Sequence, residues 1–298
     1  MGRKTNKQRR QQHATTAREK AALARADHQR QAQRRRAMTI ISTVVVIAVV
    51  AAIGAVFALN HKGKQNAAGD RAPASVSVVN TLGSVSAATL QKVGLGSDQL
   101  APKKVTDPPL TSGGKPELLF IGAEFCPYCA AERWPLIQAL MHFGTFSNLN
   151  EISSSSTDVD PNTPTFSFYK SSYTSKYLTF VPVENETRTK GALESTTTAE
   201  NKLWIKYTDT TGQGPGFPFL DYAGKYVQTS QSYDPGLLAG LTQTQVAAQL
   251  NNPNSKIAKA IDGEANVTTA TICSITNNQP VTVCITPLIT NIQAQLGG

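Results

Sequence analysis

The chain has 298 residues, 40% of them hydrophobic, and a formal net charge of +9. Residues 1–37 hold 12 of the 29 Lys and Arg and two of the 20 Asp and Glu, leaving 17 basic against 18 acidic residues in the remainder. The basicity belongs to a tail, which excludes a basic nucleic-acid face on the folded domain, and the ordinary apolar content excludes disorder throughout.

The tail ends at Arg34-Arg35-Arg36. Residues 38–59 then read MTIISTVVVIAVVAAIGAVFAL, 22 residues without a charge. At about 1.5 Å per residue, a helix of this length covers the roughly 30 Å hydrocarbon core of a bilayer. Ala-x-Ala-like sequences nearby keep a cleaved signal peptide as the rival reading. Against it stand the long leading tail and an apolar run beyond the usual ~7–15 residues. All 12 basic residues of the tail precede the segment, and only Lys62, Lys64 and Arg71 follow closely. The positive-inside bias therefore places the N-terminus in the cytoplasm and everything after Asn60 outside the cell membrane. The lipid bilayer is a partner through residues 38–59, and no nucleic-acid partner is expected. The tail reads as a topology signal, with binding to anionic headgroups as the alternative.

Residues 60–114 are rich in Ala, Ser, Gly, Lys and Pro. They read as an extracytoplasmic stalk with one short helix near 84–95. The domain proper is expected over 115–298. Residues 118–125 form an apolar run of strand length. Cys126-Pro127-Tyr128-Cys129 follows. Residues 130–143, AAERWPLIQALMHF, carry a helical pattern that Pro135 should kink and Gly144 should end. Residues 149–153 read as a second strand. Residues 165–183, rich in Phe, Tyr, Thr and Val, read as an extended hairpin within an insertion at about 155–190. A helix is expected over 196–207. Strands 217–220 and 225–228 flank Asp221 to Gly224 as a hairpin. Residues 235–250, 255–261 and 287–296 read as helices. This order defines an α/β class preceded by one transmembrane helix.

The chemistry lies in the CxxC. Disulfide exchange needs an attacking thiolate and a second thiol within reach to resolve the mixed disulfide. At a helix start, Cys126 would meet unpaired N–H groups and the positive end of the helix dipole, which favour a thiolate. Cys129 would lie one turn in, on the same side. Pro127 suits the first turn because its missing N–H has no helical partner to lose. Cys126 is thus the expected nucleophile and Cys129 the resolving thiol. A zinc knuckle would need about four ligands, and no second CxxC or Cys-x-His pair is present, so no metal and no cofactor are expected. As a purely structural bridge, a CxxC closes too small a loop to constrain the unfolded chain much.

Cys273 and Cys284 are separated by ten residues with β-rich flanks, TTATICSIT and PVTVCIT. They read as a structural disulfide closing a hairpin or loop of a C-terminal extension; the alternative is a relay pair exchanging with Cys126 and Cys129. His142, Trp134 and Trp204 read as packing or rim residues. The sequons at Asn185 and Asn266 read as surface markers.

Residues 120–129, FIGAEFCPYC, resemble the first strand and active-site turn of thioredoxins and glutaredoxins. Gly216-Phe217-Pro218-Phe219-Leu220-Asp221 with Gly224-Lys225 is similar to the cis-proline strand and hairpin of that fold. The resemblance implies a thioredoxin-like fold in which Pro218 is cis and packs against the CxxC. Phe217 would then offer backbone hydrogen bonds to a bound peptide, beside Pro127 and Tyr128. Thioredoxins usually carry a buried acid six residues before the first cysteine; here that position is Phe120, and Glu124 matches a position normally at the surface. The wider segment, from CPYCAAERW through TPTFSFYKSSYTSKYLTFVPVE, resembles the membrane-tethered proteins grouped as domain of unknown function 929, over roughly residues 117–298. The expectation is a membrane-anchored, extracytoplasmic thiol–disulfide oxidoreductase. It would act on cysteine-containing client proteins, with a membrane redox partner if it works as a reductase. The alternative is a redox-inert binding or assembly module of the cell envelope.

Overall fold

The computed structural model describes residues 71–96 and 102–296. The expected basic tail, the apolar segment 38–59 and the first part of the expected stalk lie outside the described residues. Among the described residues no helix is long and apolar enough to cross a membrane.

The chain begins with β1 (Ala72–Pro73), α1 (Val76–Gly83), α2 (Ala87–Val93), β2 (Lys103–Lys104), β3 (Thr111–Ser112) and β4 (Lys115–Gly122). Next come α3 (Pro127–Leu140), β5 (Gly144–Ser147), β6 (Asn150–Ser153), β7 (Pro164–Ser167), β8 (Ser172–Ser175) and β9 (Thr179–Glu184). The rest is α4 (Thr198–Thr208), β10 (Phe219–Tyr222), β11 (Tyr226–Gln228), a 3-10 turn at Pro235–Leu238, α5 (Gln243–Ala247), α6 (Lys256–Ile275), α7 (Val281–Cys284) and α8 (Pro287–Leu296). The architecture is mixed α/β.

The central sheet has the order β2–β11–β10–β4–β3, with β9 added parallel to β4 from Glu117↔Thr179 to Gly122↔Glu184. Leu118 to Ile121 are buried on both faces, so this strand is continuously apolar rather than alternating. Successive side chains still part to opposite sides. Leu118 and Phe120 join the main core with Trp134 and Leu140 of α3. Leu119 and Ile121 join a second core with Phe219 and Trp204 of α4. On the main-core side, every residue of α3 except Tyr128 is buried. The helix is thus buried all round, its Glu132, Arg133 and Gln138 included, and α3 packs against α6 and β7.

Three expectations are corrected here. Residues 71–96 and 102–114 are not a free stalk: Val78 and Leu82 of α1 are each 1% exposed, and β2 and β3 pair into the central sheet. The aromatic segment 165–183 is not a hairpin, because β7 pairs with β6, β8 with β5 and β9 with β4. The expected insertion at 155–190 therefore contains a strand of the central sheet. The flanks of Cys273 are helical, not extended, since α6 carries TTATICSI through to Ile275. Burial overrides the weak helix propensity of Thr and Val. The hydroxyls of Thr269 and Thr271 are satisfied by donating to the Ala265 and Val267 carbonyls at 2.6 and 2.9 Å.

Asn266 is also not a surface marker. It is 2% exposed, and its Nδ2 donates to the Leu90 and Gly94 carbonyls at 3.1 and 2.8 Å, capping α2. This close approach needs Gly263, where a Cβ would lie 2.6 Å from the Gly96 Cα. The hairpin β10–β11 turns through Ala223, Gly224 and Lys225, the first two with positive φ, and the Lys225 N–H donates to the Tyr222 carbonyl at 3.0 Å.

Cys273 and Cys284 are bonded, with a Cα–Cα distance of 5.4 Å and a sequence separation of 11. The bond ties the end of α6 to α7. In the loop-entropy description a ring of this size contributes about 3 kcal/mol. Replacing both cysteines by serine should lower unfolding stability by that amount, read from urea midpoints. A change below about 0.5 kcal/mol would mean that the bond constrains nothing in the unfolded chain.

Candidate thiol site at the start of helix α3

β4 delivers the chain to the CxxC, and α3 begins directly after Cys126. Cys126 is the N-cap, and its Sγ accepts the Cys129 N–H at 3.3 Å. Pro127 occupies the first turn, where no N–H is needed. Both thiols are free. Cys126 is 5% exposed and Cys129 fully buried, whereas Tyr128 between them is exposed. The two thiols are electrostatically unequal. The Cys129 side-chain hydrogen bond, opposed by burial and aided by backbone hydrogen bonds and the Arg133 charge, pulls the Cys126 thiol below its ordinary value. Burial, together with the hydrogen bond to Cys126 and its charge, pushes Cys129 well up. Of the two thiols, Cys126 is therefore the one that ionises more readily and Cys129 the one that holds its proton more tightly.

The Phe217–Pro218 peptide is cis. Its strand is registered against β4 with Phe219 opposite Ile121. The Phe125 and Phe217 rings meet edge to face at 6.1 Å, and Trp204 lies 5.0 Å beyond Phe217. These contacts bring Phe217 to the same sheet end as the CxxC. Lys190 Nζ sits 4.7 Å over the Phe125 ring, so the rim is aromatic with one cation. Pro218 itself is buried. Cys273 and Cys284 are bonded to each other rather than presented at this site.

Around the CxxC is a set of buried charges that sequence reasoning missed. Glu124, expected at the surface, is buried. It accepts both Arg71 Nε and Nη2, at 2.6 and 2.7 Å, and the Ser167 hydroxyl at 2.5 Å. Arg133 and Glu184 form a second, fully buried pair. Phe120 stands against Phe168 at 5.3 Å, with the Arg133 guanidinium 5.6 Å from its ring. The signal available in sequence was a charged residue inside an apolar helix, because a buried charge requires a partner. Further along α3, Gln228 Nε2 bridges Glu132 and Glu264 at 3.0 and 3.2 Å. Among the described residues, no group of three His, Cys, Asp or Glu is arranged to hold a metal ion.

Residues 101–274 match the family described as Domain of unknown function (DUF929). The chain belongs to this family. No curated protein and no solved structure matches the chain. The DUF929 match includes the CxxC, Arg133, Glu184 and Pro218, whereas Arg71 and Cys284 fall outside it.

Proposed function

We propose that this DUF929 protein is a membrane-anchored, extracytoplasmic thiol–disulfide oxidoreductase with a thioredoxin-like fold. The observation that carries the reading is Cys126 at the N-terminus of α3, its sulfur accepting the Cys129 N–H. The strand–CxxC–helix order and the strand after cis Pro218 support the fold assignment. The 22-residue uncharged segment and the basic tail before it support the anchor and its orientation.

In the proposed reaction the Cys126 thiolate attacks one sulfur of a client disulfide. A Cys126–client bond forms, the client S–S bond breaks, and the leaving client thiolate takes a proton. Cys129 then loses its proton and attacks the Cys126 sulfur. The Cys126–Cys129 disulfide forms and the second client thiol is released, so two electrons pass to the client. Run backwards, the same steps oxidise a client dithiol. The Phe217 backbone and the aromatic rim would hold the client peptide as an extended segment.

The test is trapping in the full-length chain in detergent. Cys129→Ser should accumulate mixed disulfides through Cys126, and adding Cys126→Ser should remove them. A chain with no trapped client, and a Cys126–Cys129 couple below about −300 mV, would overturn the reading, since such bonds resist exchange.

A further inference from the structure

Arg133 lies four residues beyond Cys129 on α3, one turn further along the same face. It is completely buried. A guanidinium does not lose its proton, so a full positive charge stands inside the protein next to the thiol site. Its Nε donates to Glu184 Oε1 at 3.0 Å and its Nη2 to Glu184 Oε2 at 2.5 Å. Nη2 also donates to the Ala123 carbonyl at 3.0 Å, the same carbonyl that accepts the Cys126 N–H at 3.2 Å. Nη1 is buried and has no partner among the described residues.

Glu184 ends β9 opposite Gly122 of β4, and its Oε1 also accepts the Phe168 N–H at 3.0 Å. A Cβ on Gly122 would sit 3.4 Å from the Cys129 sulfur. The resolving thiol, the carboxylate's strand partner and the arginine thus share one small volume. A pair serving only the fold would satisfy all three guanidinium nitrogens, because an orphaned buried donor is costly. The free Nη1 leaves one buried donor unspent on a residue one turn from Cys129.

We infer that the Arg133–Glu184 pair is the charge control of the Cys126–Cys129 site, with Arg133 holding the negative charge of the ionised sulfur and Glu184 limiting that pull. This rests on the reading of Cys126 as an exchange thiol, but its test reads ionisation rather than turnover. The Arg133 charge acts in the thiolate-favouring direction on both sulfurs.

The two partners have opposite charges, so their removal should act with opposite signs. The rate of Cys126 alkylation by iodoacetamide is followed against pH in the full chain, with the modified peptide read by mass spectrometry. Arg133→Met should move the midpoint up and cut the rate at pH 7 about tenfold, one pKa unit being the low end of what a neighbouring opposite charge is worth. Glu184→Gln keeps the shape, leaves the guanidinium unopposed, and should move the midpoint down. Arg133→Lys should stay near the wild type. Midpoints that move in the same direction, or not at all, would overturn the inference. If Arg133→Met does not fold, Glu184→Gln decides alone: a downward shift supports the pair, and an upward or absent shift removes it. Opposed shifts in a chain that traps no client would keep the charge pair and discard the enzyme.

Discussion

Unfolding stability is expected to fall by several kcal/mol as pH rises from about 5 to about 8, on the order of 4 kcal/mol of it from one residue, Glu264. The cause lies between α3 and α6. Glu132 and Glu264 are both buried and share one donor, the Gln228 amide. Glu132 Oε1 and Glu264 Oε2 have no partner among the described residues. One neutral amide cannot offset two buried carboxylates, so the pair keeps protons. Burial pushes Glu264 up to about 8, and burial with the nearby Glu264 charge pushes Glu132 well above its ordinary value. Burial also raises Asp262 to about 7 and Asp221 to about 6. In the unfolded chain these acids titrate near pH ~4. Between that value and their folded values, the folded state binds more protons than the unfolded one. Stability from these groups is therefore complete below about pH 4 and is lost as pH rises through the folded values. A tenfold change in a protonation equilibrium is about 1.4 kcal/mol, which for Glu264 alone gives the stated order. Glu264→Gln should remove the Glu264 share of the slope and raise stability at pH 8, leaving a slope of similar size from Asp262 and Asp221. Urea midpoints at pH 5 and pH 8 check both. A variant that keeps the full wild-type slope would place the cause elsewhere.

What the sequence made legible follows from how local each signal is. The β4 strand, the CxxC and α3 occupy one continuous stretch in which apolar run, cysteine spacing and helix pattern agree. The β10–β11 hairpin was readable because Gly224 marks a turn that few residues can adopt; a Cβ there would also lie 2.4 Å from the Pro108 carbonyl oxygen. The α8 helix was readable from Pro287 at its start and the apolar spacing after it. By contrast, α6 was cut short at 261 and its second half read as strand. Its Thr and Val residues prefer extended structure, and only packing against α3 and α2 holds them in a helix. The segment 165–183 did look extended, but which strand each piece would pair with is set by tertiary contacts. The site was half legible. Cysteine chemistry is local, whereas Arg133–Glu184 and Arg71–Glu124 join residues 51 and 53 positions apart. Nothing in one sequence says which charge will meet which at that separation. Arg71 was further hidden by a composition that reads as stalk.

That residue gives the largest expected effect for a change outside the family-matched region. Arg71→Ala should destabilise the protein by about 2–4 kcal/mol, somewhat below a fully buried pair because Arg71 is 21% exposed. Glu124 would be left in a buried position with only the Ser167 hydroxyl of its three donors. The Arg71 guanidinium also lies 4.5 Å from the Tyr169 ring centroid, so the substitution loses a cation–π contact as well. Glu124 is two residues before Cys126, and the loop carrying Cys126 would lose its anchor along with the stability. The charge origin can be isolated, because Glu124→Gln removes the stranded carboxylate while keeping its shape. The double variant Arg71→Ala/Glu124→Gln should therefore be more stable than Arg71→Ala alone, a coupling that a double-mutant cycle measures directly. Arg71→Ala within about 0.5 kcal/mol of the wild type would show that the pair is loose and that β1 is held by backbone pairing alone. It follows that a fragment begun at Gly114 discards the Arg71 clamp, α1, α2 and the three strands β1, β2 and β3, whereas one begun before Arg71 keeps them all.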